Sequence, residues 1–189
     1  TASSENASDN EEAWRAADND QGTRWHDTGG NHPSTLPSWW NVDFDAPGTD
    51  TGRRRAITSY SIRAGDSSTS AALAPRRWSL LASNHDTGTY ATDTGKWTQE
   101  DTQGSETSWA VSEKRTYRTP GGDTGTVEAR RHWRLYFREQ NGTVEMRIAE
   151  IEMFTAATAL QTYTSGASRV FNANSIGALA KATKRVIVS

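Results

Sequence analysis

The sequence contains no cysteine. Disulfides and thiolate metal sites are therefore excluded, and the fold needs some other staple if it works in an oxidising environment. No run of about 18 apolar residues occurs, so no membrane-spanning helix is expected. The chain has no G-x-S-x-G, no H-E-x-x-H, no Walker loop and no G-x-G-x-x-G. Those absences remove the motif-borne hydrolase, zinc-protease and nucleotide-binding classes. Carboxylates are plentiful, but nothing in the spacing sets two of them together as a glycosidase pair. The apolar fraction is only 33%, and eight tryptophans offset the shortage of aliphatics. Each buried indole removes about 150–250 Å² from water, so a few anchor a modest core. A net charge of −2 argues against a general nucleic-acid binder. Thr1 stands first, without Met or a visible signal peptide, which reads as a processed protein or a fragment of a longer one.

One further absence divides the chain. Residues 155–189 contain no Asp or Glu. They hold four basic residues (Arg169, Lys181, Lys184, Arg185), whereas residues 1–154 carry 17 basic against 23 acidic ones. The chain thus reads as one domain, 1–154, and a basic Ala/Ser/Thr-rich C-terminal extension, 155–189. Ile176, Leu179, Ala180 and Ile187 have rough helical spacing, while residues 184–188 read equally as a strand. The extension is too poor in large apolar residues to build its own core. It is expected to be disordered or to pack on a partner, and a homo-oligomer or larger surface assembly, such as a virion fibre or spike, would suit it.

The first 154 residues read as short strands between polar loops. Trp40, Val42 and Phe44 alternate, as do Trp78, Leu80 and Ala82. Residues 55–63 are rich in β-formers. Over 128–138, Ala129, Arg131, Trp133, Leu135 and Phe137 alternate with Glu128, Arg130, His132, Arg134 and Tyr136, a half-buried pattern with one wet face. Over 143–154, Val144, Met146 and Ile148 keep one parity and Ile151 and Met153 the other, so the period slips at Ala149-Glu150. The slip reads as a bulge, or as a strand buried on both faces where parity carries no meaning. With no convincing helical stretch, the pattern predicts an all-β sandwich or barrel.

Asp18-Asn19-Asp20-Gln21-Gly22-Thr23 crowds oxygen ligands into six residues. It is not an EF-hand: the glycine stands fifth and the twelfth position is Gly29. Calcium takes six to eight such oxygens, but by itself the stretch reads as an Asx-type turn before it reads as a metal loop. His26 and His32 have no third partner in spacing, which sets zinc aside.

The succession WRAADNDQGTRWH, WWNVDF, ITSYSIRAG, APRRWSLLASN, WRLYF and IAEIEMF resembles, in order and across 1–154, the discoidin superfamily. That superfamily includes the coagulation-factor type C domains and the galactose-binding family of carbohydrate-binding modules. The resemblance implies a jelly-roll β-sandwich, non-catalytic, with a structural calcium. It assigns the carboxylates of Asp18 and Glu150 as ligands, Asp20 where the family has Asn, hydroxyl and carbonyl from Thr23, and carbonyls from Arg15 and Ala149. Asn19 stands where the family prefers Gly, and Asn tolerates positive φ better than most residues.

It also implies a sugar site at His26 and Arg63, with His32, Trp39 and Trp109 as further contacts. The relatives' Trp three residues after the histidine is Gly29 here, so an aromatic platform must come from elsewhere, with Trp39 and Trp109 the candidates. Trp25, Trp40, Trp78 and Trp133 are expected in the core, Trp97 and Trp109 exposed, His85 and His132 on the surface. The leading expectation is a calcium-stabilised carbohydrate-binding adhesion module, extracellular or on a virion surface. Its alternative is a structural domain with a degenerate sugar site. A phospholipid binder ranks third, because Leu36 and Leu73 near Arg76 and Arg77 are its only hints.

Overall fold

A computed structural model describes residues 2–3, 5–27, 38–44, 54–85, 96–122, 127–142 and 145–155. The extension from 156 onward, His32 and Leu36 lie outside them. The strands are β1 (Trp25–Asp27), β2 (Ser38–Asp43), β3 (Ile57–Arg63), β4 (Pro75–Ser83), β5 (Thr98–Gln103), β6 (Lys114–Arg118), β7 (His132–Gln140), β8 (Met146–Ile148) and β9 (Glu150–Thr155). One four-residue helix, Ser68–Ala71, and two 3-10 turns, Ala7–Asp9 and Ala13–Ala17, complete the described elements.

All described strand pairs are antiparallel. One sheet runs β2-β7-β4-β5, a second β6-β3-β9, and β1 pairs with β8. The alternation read from sequence sets the inward face: Trp78, Leu80 and Ala82 on β4, and Trp133, Leu135 and Phe137 on β7, are buried. Leu80 stands opposite Leu135, and Trp78 opposite Phe137. Rings join the sheets. Trp25 of β1 lies 6.0 Å from Phe137, Phe137 6.4 Å from Trp78, and Trp78 5.1 Å edge-on from Tyr117 of β6. Tyr117 stacks at 5.3 Å on Tyr60 of β3. This is the aromatic core that replaces missing aliphatics.

Buried indoles need partners for their N–H groups. Trp78 Nε1 donates to Tyr60 Oη at 2.9 Å, and that hydroxyl donates to Asp101 Oδ2 at 2.8 Å. Burial, then the Asp101 charge, pushes the Tyr60 pKa far up, so it stays a donor. Trp40 Nε1 donates to the Ala13 carbonyl at 2.9 Å and Trp133 Nε1 to the Arg55 carbonyl at 3.0 Å.

The parity slip has a plain cause. Residues 146–148 pair with β1, and residues 150–155 pair with β3. Ala149 is the bend between them, and its N–H donates to the Arg63 carbonyl at 3.0 Å. The strand changes sheets there, so both halves bury side chains of opposite parity: Met146 and Ile148 before the bend, Ile151 after it.

Three expectations about exposure need correcting. The outer face of β7 is wet only toward its end: His132 is 0% and Arg134 2% exposed, whereas Tyr136 is half-buried and Arg138 exposed. The Arg134 guanidinium lies 4.3 Å from the Trp39 ring centroid and 4.1 Å from that of Trp97. Cation–π contact lets a charge be covered without leaving it unsolvated against hydrocarbon. For the same reason Trp97 is half-buried rather than exposed. Trp109 is buried at 8%, its ring 4.2 Å from the Arg115 guanidinium and its Nε1 donating to the Pro75 carbonyl at 3.0 Å. His85 is exposed, as expected.

Candidate functional site

The 3-10 turn Ala13–Ala17 delivers the chain to Asp18. Asn19 follows at φ 62°, the left-handed conformation that Gly would adopt at less cost. Asp18 Oδ1 accepts from the Asp20 N–H at 2.9 Å. Thr23 Oγ1 lies 2.9 Å from Asp18 Oδ2 and 2.9 Å from the Asp20 carbonyl. Asp20 turns its own carboxylate to the Gly22 N–H at 2.9 Å. The loop is therefore folded around the Asp18 side chain.

From the far end of the chain, the bend at Ala149 sets Glu150 against this loop. Burial raises the Glu150 pKa to about 7, helped by the neighbouring Asp18 and Glu152 charges and a hydrogen bond with Asp18. Glu150 Oε1 is buried and has no hydrogen-bond partner. Two carboxylates in contact, one with an orphaned buried oxygen, form a site short of positive charge. The donors at hand are all oxygen, which fits a hard cation such as calcium. Among the described residues no three of His, Cys, Asp and Glu converge, so the remaining donors would have to be hydroxyl and carbonyl oxygens.

The neighbouring cluster on β1 has the opposite balance. His26 is buried, with Nδ1 2.6 Å from Glu11 Oε2 and Nε2 2.9 Å from Glu145 Oε2. The second approach has ion-pair distance without hydrogen-bond direction, since Nε2 makes no hydrogen bond. The other Glu11 oxygen accepts from Arg24 Nε at 2.5 Å, and Arg24 Nη1 reaches Asp66 at 3.2 Å. Burial raises the Glu11 carboxyl, but the His26 hydrogen bond and the Arg24 guanidinium outweigh it, and its pKa falls below the usual carboxylate range. Backbone bonds hold the cluster: His26 N to the Glu11 carbonyl and Asn6 N to the His26 carbonyl, both 3.1 Å.

Arg63 ends β3 opposite Lys114 and Glu150, and its Nη1 donates to the Ser112 carbonyl at 2.8 Å. No hydrogen bond or ion pair joins it to His26. Trp39 is half-buried under Arg134 and Trp109 is buried under Arg115, so neither offers a bare ring. His32 lies outside the described residues. Sequence reasoning missed Glu11, Glu145 and Arg24, whose only signal was charge near a histidine-bearing strand.

No family model matches the chain, and no curated protein matches it. Solved structures do. One is a pectin-binding carbohydrate-binding module, 19% identical, TM-score 0.55, covering 85% of this chain and 91% of that one. A family 32 module from Clostridium perfringens in complex with GalNAc-β-1,3-galactose is 18% identical at TM-score 0.57, covering 82% and 93%. A chitosan-binding module from a Paenibacillus sp. IK-5 chitosanase/glucanase, in complex with chitotriose, is 16% identical at TM-score 0.55, covering 82% and 93%. At these identities the likeness establishes the fold.

Proposed function

Because the chain has the galactose-binding-like β-sandwich fold of the discoidin superfamily, we propose that it is a non-catalytic carbohydrate-binding module that adheres to glycans outside a cell. The observation that carries this reading is the fold itself, shared with modules solved in complex with GalNAc-β-1,3-galactose and with chitotriose. A glycan array probed with the whole chain tests it: binding to at least one glycan is expected, and an empty array overturns it.

Calcium is part of the proposal. The carboxylates of Asp18 and Glu150, the Thr23 hydroxyl and the carbonyls of Arg15, Thr23 and Ala149 would hold the ion. Asp20 would join once its carboxylate leaves the Gly22 N–H. When bound, the ion neutralises the paired carboxylates and cross-links the 18–23 loop to the strand at Glu150, the staple a cysteine-free chain otherwise lacks. The support is the orphaned Glu150 oxygen and its raised pKa.

One observation favours the second reading, a structural or assembly domain. His26 is engaged by two carboxylates and Arg63 by a carbonyl, which leaves the sugar groups implied by the resemblance occupied by the protein. Light scattering on the whole chain and on residues 1–154 separates the readings further: an oligomer that only the whole chain forms supports assembly through residues 155–189, the property a virion-surface role would need, and two monomers remove it. The phospholipid reading is weakened at Leu73. Leu73 lies against Gly142, where an added Cβ would stand 2.1 Å from Leu73 Cδ2, so its side chain packs rather than protrudes. Among the described residues no helix is long and apolar enough to cross a membrane.

A further inference from the structure

The eight tryptophans divide unevenly. Trp25, Trp40, Trp78, Trp109 and Trp133 are buried, and Trp39 and Trp97 carry the Arg134 guanidinium. Trp14 alone is exposed, at 57%. A single exposed apolar side chain needs no special cause; what sets Trp14 apart is how firmly it is held.

Trp14 is not on a loose loop. It belongs to the Ala13–Ala17 turn, whose Ala13 and Ala16 are buried. The Ala13 N–H donates to Glu5 Oε2 at 3.0 Å, and the Ala13 carbonyl accepts from Trp40 Nε1 at 2.9 Å. The turn is thus pinned to the core on both sides of the indole. The ring is held as well. Arg15 places its guanidinium 4.4 Å from the Trp14 centroid, and Arg15 is itself fixed by Glu12 Oε2 at 2.8 Å and by Asn10 Oδ1. A ring that is 57% exposed and backed by a fixed cation is partly ordered before a ligand arrives, which lowers the entropic cost of binding.

We propose that Trp14 is the aromatic platform of the binding face and that the sugar it takes is a neutral or amine-bearing pyranose. The inference rests on the glycan-binding reading above. It supplies the ring that Gly29 lacks and that Trp39 and Trp109 do not expose. A pyranose presents a face of C–H bonds with slight positive character, which suits the negative face of an indole. An ammonium substituent adds cation–π attraction. At the rim, Asn10 is exposed and the Glu12 carboxylate partly so, and the Asn10 amide and the Trp14 indole N–H are donors by nature, so donors and an acceptor stand beside the ring for hydroxyl or amine groups. The charge sets the class. Glu5, Glu11 and Glu12 surround the turn, and the two nearby cations are already spent, Arg15 on Glu12 and Arg24 on Glu11. A uronate would meet net negative charge there.

The test uses the whole chain in calcium buffer, with affinity electrophoresis and calorimetry against galactan, chitin oligosaccharides, chitosan oligosaccharides, polygalacturonate and polymannuronate. A neutral or amine-bearing probe is expected to bind roughly ten-fold tighter than either uronate. Trp14→Ala is expected to weaken that binding roughly ten-fold or more with an unchanged melting temperature, and Trp14→Tyr to recover most of it. Binding by the wild type that Trp14→Ala leaves intact overturns the platform while sparing the glycan reading. Preference for a uronate overturns the charge assignment. No binding to any probe overturns both the platform and the glycan reading.

Discussion

Two clusters of carboxylates flank β1, and they are balanced in opposite ways. Around His26, each Glu11 oxygen has a cationic or imidazole partner, and the carboxyl pKa is held low. Around Asp18, a second carboxylate is pressed against the first, one oxygen is orphaned, and the Glu150 pKa is driven up to about 7. The same chemical group is complete in one place and wanting in the other. A site that is short of positive charge is where an external cation gains most. This charge imbalance, independent of any loop motif, is what supports the proposed calcium at Asp18 and Glu150.

The largest break of this comparison is removal of the ion. With calcium about 100-fold above its dissociation constant, stabilisation is about 2.7 kcal/mol, or roughly 5–10 °C for a chain of this size. EDTA is expected to lower the melting temperature by that amount and calcium to restore it, read by calorimetry. No shift in either direction would sink the clamp.

Next comes Glu150→Gln, with its pH dependence. The unfolded chain releases the Glu150 proton near 4.5 and the folded chain near 7. Between those values the folded state binds more protons, so metal-free stability falls as pH rises through the window. After solvent screening the full loss is about 1–2 kcal/mol. In EDTA, Glu150→Gln is expected to raise the melting temperature at pH 8 and to flatten its fall between pH 5 and pH 8. The calcium increment should vanish with it. A calcium response that survives would place the ion elsewhere.

Glu11→Gln probes the balanced cluster. It strips a carboxylate from between His26 and Arg24 and is expected to cost about 1–2 kcal/mol, because Arg24 resolvates while His26 does not. That loss should be equal with and without calcium; a calcium-dependent loss would mean that the two clusters act as one. The smallest effect is Asn19→Gly. Relief of the positive φ is expected to stabilise by less than about 1 kcal/mol, with the calcium response unchanged.

How much of this was legible follows from the range of each interaction. Strand alternation is local, and it placed Trp78, Leu80, Trp133 and Leu135 correctly. The slip at Ala149-Glu150 was visible in the same way, although only pairing reveals that it marks a change of sheet rather than a bulge within one. The left-handed turn at Asn19 was also a local matter. Most of the failures were contacts that alternation along one strand does not encode. His132 and Arg134 looked solvent-facing because alternation assumes a sheet wet on one side, and nothing near them announces the indoles of Trp39 and Trp97. Trp109 looked exposed because its cover, Arg115, acts from the next strand. The Glu11–His26–Glu145 grouping joins three segments that no spacing links. Trp14 was passed over because an apolar residue in a short turn has no periodicity to be read.

Ala149 has one more consequence. A strand that leaves one sheet and enters another is a stitch, and the stitch here passes through the residue beside the unpaired carboxylate. Whatever occupies Glu150 pulls on both ends of the thread. Amide protons of Met146–Ile148 and of Glu150–Thr155 belong to different sheets, yet they should slow their exchange together when the ion binds and quicken together when it leaves.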